Sequence, residues 1–143
     1  MFKRILVPLD GSKLAEQALP YAEELAGKFG STVYLVRAIP KAITPAAPIN
    51  VEAIEEKEEA KAERYLDRIE KRLTDAKIKL ETREVYGDSA AEVIKYVAAE
   101  EKVDLIIGVT HGRSGIERFI FGSTIDDLAR DPSQPVLVIK GEE

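Results

Sequence analysis

The chain has 143 residues, of which 45% are hydrophobic, a size and composition sufficient for one globular core. Lys and Arg total 21 against 26 Asp and Glu, so the net charge of −5 argues against a general affinity for nucleic acid or acidic membranes. The lack of cysteine excludes disulfides, thiolate catalysis and sulfur-ligated metals, and no apolar run approaches the ~20 residues that span a bilayer. We therefore expect a single cytoplasmic domain over residues 1–143, without membrane insertion.

In the first part of the chain, two apolar runs predict strands with a helix between them. Residues 5–7 are β-formers without polar alternation, which is typical of a strand buried on both faces. Apolar residues at helical spacing predict a helix from residue 12 to about 28, with Pro20 inside it as a cause of bending. Residues 32–36 predict a second strand, and the prolines that follow predict an exposed loop.

The rest of the chain continues this alternation. A helical stripe that ends near Leu73 has a charged first part, whose first turns we expect to project into solvent. It precedes an alternating strand at 78–85 that indicates a sheet edge. A capping box at 89–92 begins a third helix, and the most apolar run, 103–109, predicts the central strand. A short helix at 123–130 and a strand at 136–139 complete an α/β pattern, which predicts a parallel sheet with ligands beyond the carboxyl ends of its strands.

The segment after the run at 103–109 has the composition of a phosphate-binding loop. Glycines let a backbone approach phosphates closely, and a helix N-terminus adds free amides. An arginine and two hydroxyls would supply further donors. The residues concerned are Gly112, Arg113, Gly115, Gly122, Ser123 and Thr124. In the alternative interpretation, these glycines only shape turns, and Ser123 or Thr124 caps the helix.

Five segments resemble, in chain order, the signatures of the universal stress protein family. They are residues 5–12, the turn 87–94, the segment 110–115, the pair Gly122 and Ser123, and the ending 135–139. The resemblance implies a single five-stranded, doubly wound parallel sheet of order 3-2-1-4-5 with helices on both faces. It also implies a stress-response protein that binds ATP or AMP, with Mg²⁺ accompanying the nucleotide.

The resemblance assigns roles to four further residues. Asp10 would contact the ribose or a nucleotide-bound Mg²⁺, while the backbone at Pro8 and Ala38 would border the adenine. Asp10 has an alternative role as a helix cap or turn residue. Val109 stands where the nucleotide-binding branch has its first glycine, so its side chain would crowd ribose or phosphate unless Gly108 lets the strand end shift.

Three functional hypotheses remain open. The first is a regulator whose bound nucleotide changes its conformation or partners; the second is a slow Mg²⁺-dependent ATPase or phosphotransfer enzyme. The third is a nucleotide-free dimeric scaffold, which Val109 favours. His111 is the single histidine, and because no acid–base partner can be named beside it, the sequence assigns no catalytic residue.

The last strand predicts how the protein associates. An apolar strand at a sheet edge usually needs covering. The family resemblance implies a symmetric homodimer through this strand, and the alternative is shielding by the charged tail that follows it. The strand consists of Val136, Leu137, Val138 and Ile139.

Overall fold

The computed structural model describes residues 1–41, 50–110, 120–130 and 132–142, without the side chains of residues 40, 75 and 120–123. The described part contains five strands and four α-helices. The strands are β1 (Arg4–Leu9), β2 (Thr32–Pro40), β3 (Lys79–Gly87), β4 (Leu105–Thr110) and β5 (Val136–Lys140). The helices are α1 (Leu19–Phe29), α2 (Val51–Leu73), α3 (Ala90–Glu100) and α4 (Ile120–Arg130), with 3-10 turns at Ala15–Ala18 and Thr74–Ala76.

The five strands form one parallel sheet of order β3-β2-β1-β4-β5, which confirms the predicted fold. The prediction that residues 103–109 form the central strand is wrong, because β1 occupies the centre and β4 lies between β1 and β5. Both β1 and β4 are buried on both faces, so apolar content alone does not distinguish the central strand from its neighbour.

Alternating residues of each strand build two hydrophobic cores, one on each face of the sheet. Leu35 and Ile107 join α1 and α2 in the first core. Val36 and Ile106 join α3 and α4 in the second. This is the arrangement expected of a doubly wound sheet, in which the crossovers cover both faces.

The first helix begins later than the sequence predicts. Residues 15–18 form a 3-10 turn, and α1 proper starts at Leu19, so Pro20 lies in its first turn. A proline there removes an amide that has no partner within the helix in any case, and its fixed φ suits the helical backbone. Pro20 therefore lies in the first turn of α1 and not in the middle of the helix, where a proline would cause a bend.

Three local predictions are confirmed. The strand at the 78–85 run, β3, lies at a sheet edge. Ser89 caps α3, because its side chain accepts a hydrogen bond from the Glu92 amide at 3.2 Å. The first half of α2 has no buried residue before Ala62. The proline loop lies largely at 42–49, outside the described residues, while Pro40 ends β2.

Among the described helices, none combines the length and apolar character needed to cross a membrane.

Candidate functional site

The candidate site lies where the winding direction of the sheet reverses, between the carboxyl ends of β1 and β4. These strands are neighbours, with Leu6 opposite Ile106, although they are far apart in sequence. The connections from β1 lead to β2 on one side, and those from β4 lead to β5 on the other. A crevice at such a point is the usual ligand site of an open parallel sheet.

Asp10 follows β1 and organises the turn that leads into the first helical segment. Its Oδ1 atom accepts hydrogen bonds from the Ser12 amide, at 2.8 Å, and from the Ser12 hydroxyl. The Ser12 Oγ atom in turn accepts the Ala15 amide at 3.1 Å, at the start of the 3-10 turn. Gly11 between them has φ +89°, which a residue with a side chain rarely adopts.

This turn realises the alternative role for Asp10 without excluding a ligand. Asp10 shapes the turn through Oδ1, and Ser12 in turn accepts the amide of Ala15, the first residue of the 3-10 turn. Within the described residues, Asp10 Oδ2 has no hydrogen bond, and the side chain is half-buried. A carboxylate oxygen held in this way accepts hydroxyl hydrogen bonds or binds a hard cation.

On the opposite side of the crevice, the end of β4 is tied to α4. Thr110 Oγ1 donates to Asp126 Oδ1 at 3.1 Å, and the Thr110 carbonyl accepts the Gly141 amide at 2.8 Å. Asp126 was not predicted from the sequence, because a polar residue in an amphipathic helix gives no signal of the strand that it faces. The bond ties the middle of α4 to the carboxyl end of β4.

Val109 is a core residue near the carboxyl end of β4. Its side chain is only 4% exposed and belongs to the core between the sheet, α1 and α2. The ladder of β4 with β5 continues regularly through Gly108, opposite Val138, and Val109, opposite Ile139, so Gly108 does not shift the strand end.

Gly108 has a packing role instead. A Cβ atom at this position would lie 2.1 Å from Ile125 Cδ1, a distance that no real contact tolerates. The glycine therefore lets α4 pack directly on β4, as small residues do where a helix approaches a strand closely.

Pro8 and Ala38 lie near the carboxyl ends of the neighbouring strands β1 and β2. They belong to adjacent strands in register, since Pro8 lies opposite Val36 and Leu9 opposite Arg37. Pro8 is buried, and half-buried Ala38 packs on the core formed with α3 and α4. The backbone at these two positions borders the carboxyl edge of the sheet, and contact with an adenine stays a prediction.

The phosphate-binding loop is only partly within the described residues. His111, Gly112, Arg113 and Gly115 lie outside them. Helix α4 begins at Ile120 rather than at residue 123, so Gly122 and Ser123 lie in its first turn, where amides lack partners within the helix. Thr124 is buried at 7% exposure and is already engaged within the protein.

A polar cluster that the sequence did not predict lies beside the Asp10 turn. Buried Glu16 accepts a hydrogen bond from the Tyr65 hydroxyl at 3.2 Å and from Arg72 Nη1 at 2.9 Å. Burial, followed by the charge of Glu16, raises the pKa of Tyr65 far above its ordinary value. The side chain of Arg37 belongs to the same region, and its buried Nε atom has no partner in the described part of the chain.

The remaining features of the described residues are a pocket at the sheet edge and the distribution of possible metal ligands. A pocket of about 420 Å³ lies at the outer edge of the sheet, between the ends of β2 and β3 and the start of α3; it is lined by Lys41, Val85, Tyr86, Gly87, Asp88, Glu92, Val93 and Tyr96. No group of three His, Cys, Asp or Glu side chains in the described ranges could hold a metal ion. A Mg²⁺ ion at Asp10 would therefore need oxygens from the nucleotide, and it stays a prediction.

Comparison with known proteins places this fold in a family. The family model described as "Universal stress protein family" matches residues 1–140. The chain belongs to the universal stress protein family. A universal stress protein of Methanocaldococcus jannaschii is 28% identical over 142 residues, 98% of this chain and 83% of that protein. A Staphylococcus aureus (strain USA300) protein of the same family is 32% identical over 143 residues, 99% of this chain and 86% of its own.

Solved structures of other universal stress proteins have the same fold. One from Burkholderia pseudomallei is 27% identical, with a TM-score of 0.78 and 96% of both chains covered. A universal stress protein in complex with cAMP is 22% identical with a TM-score of 0.73, and 96% of each chain is covered. An Arabidopsis thaliana member with AMP bound is 15% identical with a TM-score of 0.70, covering 98% of this chain and 92% of its own.

Proposed function

We propose that this universal stress protein binds an adenine nucleotide, ATP or AMP, between β1 and β4 and regulates a stress response through its bound state. The observation that carries the proposal is the Asp10 carboxylate, held with one oxygen free of described partners at the sheet's reversal point. A cytoplasmic location, expected from the sequence, belongs to the same proposal.

The described residues fit a nucleotide in three places. Asp10 Oδ2 would accept the ribose hydroxyls, and the backbone of Pro8 and Ala38 would border the base. The first turn of α4 directs the amides of Gly122 and Ser123 at the crevice end of the helix, where its dipole favours an anion. When bound with the nucleotide, Mg²⁺ would neutralise phosphate charge, with Asp10 as the protein's ligand.

The relatives support the choice of ligand class. The structures solved with cAMP and with AMP show that members of this family hold adenine nucleotides. Their low identities carry only the fold to this chain, so the nucleotide itself is proposed here on the residues at the crevice.

In this proposal, regulation depends on whether ATP or AMP occupies the site. The Thr110 bond to Asp126 couples the end of β4 to α4, so a ligand at the first turn of α4 acts directly on that helix. A ligand shifts a conformational equilibrium only by its different affinity for the two conformations. ATP and AMP differ in phosphate charge, and α4 is the element whose position would respond to that difference.

The first experiment identifies the ligand. The purified protein is denatured, any released nucleotide is separated by chromatography, and the native protein is titrated with ATP and Mg²⁺ in a calorimeter. We expect a released adenine nucleotide or a measurable heat of binding. If no nucleotide is released and no heat of binding is measured, the proposal is overturned.

The site itself is tested with Asp10→Asn, which keeps an acceptor for Ser12 but removes the charge. We expect ATP affinity to fall about tenfold, because hydrogen bonds to charged groups are the stronger ones. Asp67→Asn, at an exposed position on α2, is the matched control and should leave affinity unchanged. Equal losses in both variants would place the ligand elsewhere.

A dimeric scaffold without nucleotide is the second candidate, and the edge strand β5 favours it. Val138 is 38% exposed, Val136 and Leu137 are half-buried, and no strand of the described chain pairs with the outer edge of β5. Pairing with a second copy would cover this apolar edge. Sedimentation of the nucleotide-free protein as a monomer at micromolar concentration would contradict this candidate.

A further inference from the structure

Arg37 is a half-buried arginine at the carboxyl end of β2 that has no hydrogen bond or ion pair within the described residues. Its Nε atom is fully shielded from solvent and has no acceptor there. A guanidinium group carries five N–H donors and no acceptor, so these donors are satisfied only by oxygen atoms. A buried donor without an acceptor is rare in native proteins and calls for an explanation.

The other half-buried arginine in the described chain, Arg83, shows what a satisfied guanidinium looks like. Its Nε and Nη2 atoms donate to Glu101 Oε1 at 3.2 and 3.0 Å, and Nη2 also donates to Glu81 at 2.9 Å. Its Nη1 atom donates to the Thr82 carbonyl at 2.9 Å. Two arginines of similar burial therefore differ in that one is neutralised by the protein and the other is not.

The carboxylates around Arg37 do not neutralise it. Glu16 is bonded through both oxygens to Tyr65 and Arg72, and Asp10 uses Oδ1 for its own turn. Glu84 stands opposite Arg37 in the β2–β3 register but forms no ion pair with it within 4.0 Å. Burial is the largest cause that raises the pKa of Glu84, and the charges of neighbouring carboxylates raise it further.

The guanidinium lies against the turn that contains Asp10. A Cβ atom built on Gly11 would lie 3.7 Å from Arg37 Nη2, so the cation contacts the face of the turn that carries no side chain. An anion at this place would meet the guanidinium beside the free face of Gly11. It would also lie at the carboxyl edge of the sheet, next to the proposed nucleotide crevice.

We propose that Arg37 binds a phosphate group at the Asp10–Ser12 turn. The planar guanidinium matches two phosphate oxygens with parallel hydrogen bonds through its two Nη groups, because Nε is shielded from solvent. The phosphate is either part of the nucleotide, in which case the inference rests on the proposed function, or a separate inorganic or metabolite phosphate. The chemistry that Arg37 recognises is the same in both cases.

Calorimetry with three probes tests the proposal and separates these sources. The native protein, Arg37→Gln and the control Arg64→Gln are titrated with ATP, adenosine and inorganic phosphate. Arg64 is an exposed arginine of α2, so its replacement makes the same charge change away from the turn. We expect Arg37→Gln to weaken phosphate-bearing ligands at least about tenfold and to leave adenosine affinity within twofold.

Competition then decides which phosphate is bound. Inorganic phosphate that is displaced by ATP shares the site with the nucleotide's own phosphates. Inorganic phosphate that binds equally well with ATP present occupies a separate site. Arg37→Lys keeps the charge but loses the planar fork, so its affinity should fall between those of the native protein and Arg37→Gln. Thermal melts of all variants confirm that each one is folded.

The outcomes separate the two proposals. If the native protein binds ATP and Arg37→Gln binds ATP and phosphate equally well, the role of Arg37 is overturned and the nucleotide site stands. If the native protein binds phosphate but neither ATP nor adenosine, and Arg37→Gln loses the phosphate, the nucleotide proposal fails and the anion site stands. If the native protein binds none of the three probes, both proposals are overturned.

Discussion

The two ends of the parallel strands differ in how their polar groups are used. At the amino ends, Asp104 accepts the amides of Lys3 at 2.9 Å and Arg4 at 3.0 Å. The Arg4 guanidinium donates to the Glu101 carbonyl at 2.7 Å, and Lys3 Nζ donates to the Phe29 carbonyl at 2.9 Å. Every one of these side chains has a protein partner, so this end of the sheet is closed.

At the carboxyl ends, partners within the described protein are missing for two charged groups. Within the described residues, Asp10 Oδ2 has no hydrogen-bond donor and Arg37 Nε has no acceptor, although both residues are partly buried. Burying polar groups without partners costs stability. The polar groups at the amino ends therefore stabilise the fold, while those at the carboxyl ends stay available to a ligand, as the topology of such sheets favours.

The largest expected effect is at Val109, which lies at the carboxyl end but in the core. Val109→Gly should lower the free energy of unfolding by about 3 kcal/mol, since it deletes a buried side chain and adds backbone freedom. ATP affinity should change less than about threefold, because the lost methyl groups lie in the core and each tenfold change needs about 1.4 kcal/mol. Urea unfolding and calorimetry give the two quantities.

Val109→Ala is the intermediate control for this prediction, because it keeps the backbone restricted. A tighter ATP complex in Val109→Gly would contradict the core assignment. It would support the sequence-based expectation that this side chain crowds the nucleotide.

The next effect tests the amino ends. Asp104→Ala should destabilise the protein by about 2 kcal/mol, because it leaves two backbone amides without their charged acceptor. Asp104→Asn keeps one acceptor oxygen and should lose roughly half as much. Chemical denaturation measures both. A change in ATP affinity in either variant would break the division between a closed end and a ligand-binding end.

The smallest effect concerns Glu84 on β3, whose pKa is raised by burial and then by Glu63, Glu59 and Asp67. Because its folded pKa lies above the ordinary value of 4.5, folding disfavours the charged form, and stability falls as pH rises through the folded pKa. Glu84→Gln should therefore stabilise the protein by about 0.5 kcal/mol or less at pH 7 and have no effect below pH 4.

The same substitution tests whether Arg37 pairs with Glu84. If Arg37 turned toward Glu84 in solution and paired with it, Glu84→Gln would destabilise the protein at pH 7. Thermal denaturation at pH 4 and pH 7 distinguishes the two signs.

The outline of the fold could be predicted from local patterns. Short apolar runs indicated the strands, and Ser89 marked the start of α3 by its side-chain cap. The ends of elements were less predictable: α1 begins at Leu19 and α4 at Ile120, whereas the spacing of apolar residues predicted starts at residues 12 and 123. Local patterns also predicted part of the candidate site, because Asp10 directly follows an apolar run.

Asp126 could not be predicted as a neighbour of the site, because the strand residue that it meets is remote in sequence. Arg37 directly follows the predicted strand 32–36, at the edge where ligands were expected, but the sequence does not show whether its guanidinium group is paired. Asp126 meets Thr110 only because α4 packs on β4, which in turn depends on the missing side chain of Gly108. Whether a charged side chain is paired depends on distances between elements, and periodicity does not contain them.

The amino-acid sequence by itself determined the α/β class, the family and the presence of Asp10 at a strand end, because these follow from short-range patterns. The tertiary structure alone decided which strand is central, that Val109 belongs to the core, and that Arg37 is left without a described partner. The physical reason is that hydrophobic periodicity specifies which face of an element is buried, whereas pairing of strands and charges depends on how those faces meet.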